Sequence, residues 1–432
     1  MKKKYLLLIL LTFTSFSQLY VEKQSGVNTA LNSASTLNPN CIWTCGENGV
    51  ILRIQNGTFI HANGGISGTV NLKTIWAIDS ISALVAGLNG TTATVWQTSN
   101  GGANWQIVLQ QPNGFFNGIV MRKNTPLNGF LQGNPVGGRW SLWKTTNGGM
   151  SWDSTGCFLQ QNNSESGWKN SIFLGSSTAF WLPSNDSSIW FGTTNSRLYY
   201  STNFGTTWSV QTTTPEINTT SIGFLSQEGF TGGSSLVRTG NYGLNWLPAV
   251  TPGSGNVSGI IIIPPGVMDY GYSWFTKDSS SSIFRTTFPG GPWAIEYSAP
   301  SGFYNHFTGM RTGSTCIAVR SNGGITQCNY YISALNQIGS NIPQVYSLSQ
   351  NYPNPFNPPT KIKFAISGSS VAQTFLSVYD ILGREVAILV NEILQPGTYE
   401  VDWDASAQSS GVYYYRLESG SYAETKKMVL VK

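Results

Sequence analysis

The chain has 432 residues, enough for about three domains of ordinary size or for one large all-β domain with a smaller companion. Charged residues make up only 10% of it, against about 25% in an average soluble protein, while 48 glycines, 15 tryptophans and long Asn/Ser/Thr stretches take their place; a single large helical domain is excluded by that palette. Three of the lysines behind the formal charge of +5 are Lys2, Lys3 and Lys4, so the remainder holds no basic patch and no nucleic-acid partner is expected.

Residues 1–17 read as an export signal: a lysine-rich start, an apolar run from 5 to 13, and the small-residue cleavage site Ser15-Phe16-Ser17. The apolar run is far shorter than the about 20 residues needed to span a membrane, so the mature chain is expected to start at Gln18. Leu19, Tyr20, Val21 and Glu22 then form an orphan strand. Cys41 and Cys45 lie in one strand with their Cα atoms about 13 Å apart, beyond disulfide reach. Cys316 and Cys328 flank the turn Asn322-Gly323-Gly324 and meet across a hairpin, either as a disulfide or as buried thiols.

A repeat of the form T/S-x-N-x-G-x-x-W runs through most of the chain. Its copies are Thr98-x-Asn100-x-Gly102-x-x-Trp105, Thr145-x-Asn147-x-Gly149-x-x-Trp152, Ser201-x-Asn203-x-Gly205-x-x-Trp208 and Thr239-x-Asn241-x-Gly243-x-x-Trp246, with a degenerate fifth at Thr286-x-Phe288-x-Gly290-x-x-Trp293. The spacing predicts a hairpin turn in which Asn folds onto backbone amides, Gly takes a positive φ, and Trp plugs the gap between neighbouring units. A fainter mark, Gly-x-x-Asn, ends at Asn71, Asn117, Asn170, Asn256 and Asn305, with Pro215-x-x-Asn218 as a variant. Each is followed by a short apolar run that reads as the first strand of a unit.

With the N-terminal unit around 41–54 the count is seven, at a period near 47 residues, which predicts a seven-bladed β-propeller; six blades with one irregular insertion is the alternative. The unit at 304–332 lacks its turn-Trp strand, and the orphan strand at the mature N-terminus is expected to complete it so that no edge stays open. The Asn-Gly-Gly-x-x-Trp turns resemble Asp-box (BNR) repeats of sialidase-like propellers and of propellers similar to the photosystem II assembly factor family. That resemblance covers 18–335, and Asn stands in this chain where the family often has Asp.

A linker is expected at 336–345, after which 346–432 changes character. Strands at 361–366, 375–379, 397–403 and 411–417 between turns predict an immunoglobulin-like β-sandwich. Three motifs follow in order: Asn351-Tyr352-Pro353-Asn354-Pro355-Phe356-Asn357-Pro358, the segment from Val378 through Gly383-Arg384 to Val386, and Ser410-Gly411-Val412-Tyr413-Tyr414-Tyr415-Arg416-Leu417. They resemble the type A sorting domain of type IX secretion. The resemblance implies partnership with that secretion machinery, delivery outside the cell or to the outer-membrane surface, and attachment to surface lipopolysaccharide after processing.

Sialidase chemistry would need three arginines, a Tyr/Glu pair and an acid/base Asp. The F/Y-R-I-P motif is absent, and Arg53 in Leu52-Arg53-Ile54-Gln55 is its nearest approach. Other glycosidases need a carboxylate pair about 5–9 Å apart, and only Asp79, after Trp76-Ala77-Ile78, falls where a strand is expected to reach the channel. His61 and His306 stand far apart in sequence, and no metal or cofactor is expected. The remaining reading is a non-enzymatic glycan- or protein-binding module, with Phe115, Phe116, Trp168, Phe303 and Tyr304 after the glycines of the fainter mark as candidate ligand contacts. A glycoside hydrolase with its site in the channel is the alternative.

Overall fold

The computed structural model describes residues 20–432 except 39–40, 56, 123–124, 176–186, 214–217, 226, 264–270, 289–290, 310–314, 330–335, 340–341, 369–371 and 406–407. The expected export signal at 1–17 lies outside the described residues, as do Leu19, Pro215 and Gly290.

The regular elements described are all strands. Up to residue 329 they form seven antiparallel sheets, each a meander in chain order. Sheets 1 to 6 begin with the strands Leu31–Asn38, Asn71–Ala77, Phe116–Met121, Gly167–Leu174, Ser221–Leu225 and Val257–Ile263. Sheet 7 begins with Tyr304–Gly309 and ends with Tyr20–Lys23, which pairs with Ile325–Asn329 in the register Tyr20↔Cys328 to Lys23↔Ile325. The orphan strand thus closes the last sheet from the other end of the chain. The first strands touch in chain order and the seventh touches the first, so they form a closed ring around an axis. In sheet 3 the bridges Arg139↔Gln160 and Lys144↔Asp153 stand in place of a regular fourth strand.

Cohesion comes from apolar clusters between sheets. Trp43 and Cys45 of sheet 1 pack with Leu72, Ile75 and Val85 of sheet 2. Leu84 and Val95 of sheet 2 pack with Phe116 and Leu131 of sheet 3. Equivalent clusters join sheets 3 and 4, 4 and 5, 5 and 6, 6 and 7, and finally 7 and 1 through Ile317 and Val319 against Leu31 and Ile42. Middle strands such as Cys41–Gly46 and Thr315–Arg320 are buried along their whole length, so each sheet needs a neighbour on either side, and a closed ring supplies both.

The turn tryptophans sit in these seams. Trp208 of sheet 4 lies 5.8 Å from Phe130 of sheet 3 and 5.0 Å from Phe191 of its own sheet. Trp293 meets Phe230 of the preceding sheet at 5.9 Å, and Trp105 meets Trp43 at 6.1 Å. Trp246 is buried, whereas Trp105, Trp152 and Trp208 are part-exposed. Trp208→Ala is therefore expected to cost about 2–3 kcal/mol, below the roughly 3–5 of a fully buried tryptophan, measured as a lowered urea midpoint.

Beyond the ring, two four-stranded sheets face each other. One contains Asn336–Gly339, Gly397–Asp404, Pro359–Ile366 and Ser347–Leu348; the other Glu385–Leu394, Ala372–Tyr379, Gly411–Ser419 and Tyr422–Leu430. Their shared core includes Ile362, Phe364, Val378, Trp403, Tyr415 and Leu417. The expected linker at 336–345 is corrected for its first residues: Asn336 and Gln337 pair with Glu400 and Tyr399, covering the backbone edge that Gly397–Asp404 would otherwise present to solvent.

Candidate functional site

The four complete repeat turns share one hydrogen-bonding scheme. The hydroxyl of Thr98, Thr145, Ser201 or Thr239 donates to the side-chain oxygen of Asn100, Asn147, Asn203 or Asn241 at 2.9–3.0 Å and accepts the N–H of Gly102, Gly149, Gly205 or Gly243. The Asn oxygen also accepts the N–H four residues on, at 2.9–3.0 Å. The glycines stand at φ +76° to +89°, a left-handed conformation that a side chain would strain. Neutral Asn accepts the same bonds as Asp, which explains its use here. The N–H after each Asn bonds back to the loop between the first and second strands, at the carbonyls of Ile81, Leu127, Ser187 and Gln227. Arg53 is engaged in the same work, donating from Nε to the Gly101 carbonyl at 2.9 Å. These residues hold the fold.

At the opposite face the first strands begin, and there the candidate aromatics divide. Phe116 and Tyr304 are 1% and 0% exposed and pack in the seams between sheets 2 and 3 and between sheets 6 and 7, so they are core residues rather than ligand contacts. Phe303 is 51% exposed, and Phe115 and Trp168 are part-buried. The Trp168 Nε1 is buried without a hydrogen-bond partner among the described residues.

Nearly every first strand carries a bulge at this level. One extra residue is inserted at Asn32, Lys73, Asn117, Ser258 and Asn305. The Gly-x-x-Asn mark therefore falls in two registers: Asn117 and Asn305 are bulge residues, whereas Asn71 and Asn256 lie two positions earlier. In sheet 4 the bulge is longer, with Gly167 and Ile172 opposite Thr193 and Phe191. It puts Asn170 at φ 59°, which asparagine tolerates. The bulge crosses the ring. Asn170 Nδ2 donates to the Asn32 carbonyl at 3.2 Å, Ser33 Oγ donates to Asn170 Oδ1 at 3.0 Å, and Lys169 Nζ donates to Asn32 Oδ1 at 3.4 Å. Sheets 1 and 4 are not neighbours, so these bonds span the channel and plug it.

His306 sits in the same region. Its Nδ1 accepts the Ala34 N–H at 3.1 Å, which fixes the proton on Nε2, and burial together with nearby Lys169 pushes the imidazole down to about 3. Burial and Lys73 likewise hold the Lys169 amine below its ordinary value. Sequence reasoning missed Lys73, Lys169 and Asn32; the signal was a lysine in an otherwise apolar first strand.

The acids serve elsewhere. Asp79, expected near the channel, is exposed at the end of its strand and caps a turn, its Oδ1 accepting the Ile81 and Ser82 N–H groups at 2.7 Å. Glu165 is buried against Arg197, Trp140 and Tyr199. Glu22 pairs with Arg320, and Glu296 with Arg285. Among the described residues, no group of three His, Cys, Asp or Glu side chains is arranged to hold a metal.

In the C-terminal sandwich the three motifs interlock. Asn351 is buried: its N–H donates to the Tyr415 hydroxyl at 2.9 Å, and its Nδ2 donates to the Pro353 carbonyl and to Thr360 Oγ1. Asn354 Oδ1 accepts the Val429 N–H at 2.9 Å, while Tyr352 and its neighbour Pro353 lead a segment whose Phe356 packs on Trp403. Pro355 precedes that anchor. Asp380 caps the turn that contains Gly383, at φ +76°, and pairs with Arg384 at 2.7 Å. Gly411, Val412 and Tyr413 open the strand that pairs with Tyr422–Leu430, and Tyr413 stands edge-on to Trp403.

Residues 350–432 match the family described as a secretion system C-terminal sorting domain. No curated protein shows significant similarity to the chain. Among solved structures, "YCF48 bound to D1 peptide" is similar with a TM-score of 0.51 and 11% identity, covering 73% of this chain and 98% of that one. YCF48 from Cyanidioschyzon merolae gives 0.51 and 13% identity, covering 72% and 98%. At these identities the likeness is one of fold. The chain is thus a β-propeller folded like YCF48 that carries a C-terminal sorting domain for export by type IX secretion.

Proposed function

We propose that the exported propeller is a non-enzymatic recognition module for a glycan or a protein outside the cell. The observation that carries this reading is the face where the first strands begin: Phe115, Trp168 and Phe303 keep exposed ring surface there, around a channel plugged by the sheet-4 bulge. Aromatic faces held on a rigid ring stack on sugars or anchor a partner with little entropy loss. A YCF48 propeller has been solved bound to a peptide, which supports binding as a use of this fold. In this reading the repeat turns are Asp-box (BNR) repeats, 1–17 is the export signal, and the sorting domain is removed as the propeller is attached to surface lipopolysaccharide.

The test is a glycan and polysaccharide array probed with the mature chain beside a Phe115→Ala, Trp168→Ala, Phe303→Ala variant. Selective binding that the variant loses is the expected result. Catalytic turnover of a bound glycan, lost on changing a channel residue, would overturn the reading.

A further inference from the structure

Among the five one-residue bulges of the inner ring, Lys73 alone carries a charge. The bulge residues of sheets 7 and 1 are asparagines that tie each strand to the next: Asn305 Nδ2 donates to the Leu31 carbonyl and Asn32 Nδ2 to the Leu72 carbonyl, both at 2.9 Å. Sheet 3 has Asn117 at the same place. In sheet 2 the place belongs to Lys73, a part-buried ammonium with no hydrogen bond or ion pair among the described residues. An amide there would continue the ring, so the fold does not call for the charge.

A second ammonium comes to meet it. The long bulge of sheet 4 carries Lys169 across the channel to Asn32, and the first strands of sheets 2 and 4 touch although sheet 3 lies between them in the ring. Both lysines also act electrostatically on the buried Cys45 thiol of sheet 1. His306, with Nδ1 committed to Ala34, leaves Nε2 as a donor in the same field. Glu47 and Asp278 act on Lys169 from a distance, and Asp278 Oδ1 already accepts the Asn256 N–H at 2.8 Å. Two part-buried ammonium groups without a contacting carboxylate repel each other and hold an unmet demand for an anion.

We propose that Lys73 and Lys169 form an anion site at the channel mouth for the carboxylate or sulfate groups of an acidic polysaccharide. The inference rests on the recognition reading above and narrows its ligand. A polysaccharide suits the site better than a peptide because exposed Phe303 and part-buried Phe115 and Trp168 lie on the face where the first strands begin, offering ring surface on the same face as the charges. Burial and, after it, the neighbouring Lys73 hold Lys169 below its ordinary value, and a bound anion would offset both.

The experiment measures affinity of the full mature chain for alginate, polygalacturonate, dextran sulfate, neutral dextran and polyglutamate, for the wild type and a Lys73→Gln, Lys169→Gln variant. Binding to a carboxylated or sulfated polysaccharide is expected, weakened about tenfold or more in the variant and by added salt. Lys73→Gln is also measured alone: because Lys73 makes no hydrogen bond or ion pair among the described residues, its melting temperature is expected not to fall while its affinity weakens, so that lost binding is not lost folding. Affinity unchanged in the variant overturns the site. Binding only to neutral glycans overturns the anion site while leaving the recognition reading intact. Polyglutamate bound as tightly as alginate overturns the polysaccharide ligand, and no binding to any polymer overturns the anion site while leaving recognition of a protein standing.

Discussion

Ending the chain after residue 335 is expected to abolish delivery of the propeller outside the cell while leaving the propeller folded. The two halves have separate cores. None of the seven clusters that join the ring includes a residue beyond 328, and the sandwich core draws on none before 346. The cut belongs after 335 because Asn336–Gly339 pair with the sandwich and would be left as an orphan edge. The measurement is the extracellular fraction against the periplasmic fraction, with the melting temperature of the retained protein as the folding control. Truncated propeller that still leaves the cell would sink the sorting assignment. A gentler variant, Asn351→Ala, removes the bonds that its amide donates to the Pro353 carbonyl and to buried Thr360, and is expected to destabilise the sandwich by about 1–3 kcal/mol, lowering export without touching the ring.

The repeat turns were legible in the sequence because every part of their geometry is local. Thr98, Asn100, Gly102 and Trp105 lie within eight residues, and the chemistry of each type dictates its bond. Circular closure was legible for a related reason: a unit short of one strand and a strand without a unit have one economical solution. What could not be read lies between units. Phe116 and Tyr304 stand one residue after part-buried Phe115 and exposed Phe303, and in a strand a shift of one residue exchanges core for surface. The bulges decide that register, and nothing in Gly-x-x-Asn announces where the extra residue falls. Lys277 shows the same limit. It is fully buried, donating to the Ser234 and Gly253 carbonyls at 3.0 and 2.9 Å, a tie between sheets 5 and 6 that no local pattern foretells. Arg197 and Arg320, which no local pattern marks either, are paired with Glu165 and Glu22.

That last pair is the clasp of the ring, and breaking it is expected to destabilise the propeller strongly. Glu22 lies on the closing strand, where its carboxylate accepts from Arg320, from the Tyr297 hydroxyl at 3.0 Å and from Thr326 Oγ1 at 2.6 Å. Tyr20, two residues earlier, stacks on Tyr297 at 4.7 Å. The Arg320 side chain is only 4% exposed, so Glu22→Ala strands a buried guanidinium. The expected loss is about 3 kcal/mol, at the lower end for a broken buried pair because Glu22 itself is 27% exposed. Since the clasp joins the two ends of the ring, the loss should appear as a lower urea midpoint together with earlier proteolysis at the N-terminus. Replacing both partners, Glu22→Leu with Arg320→Met, is expected to recover part of it, because the unpaired charge is then gone. Acid provides an independent check. Burial alone would raise the Glu22 carboxyl, but Arg320, Thr326 and Tyr297 together hold it below its ordinary value of 4.5. The folded chain therefore binds that proton less readily than the unfolded chain, so the clasp contributes fully above pH 4.5 and is lost as the pH falls below it. The stability difference between wild type and Glu22→Gln should shrink over that descent; a difference that stays constant to the acid limit would show that the charge of Glu22 plays no part in closing the ring.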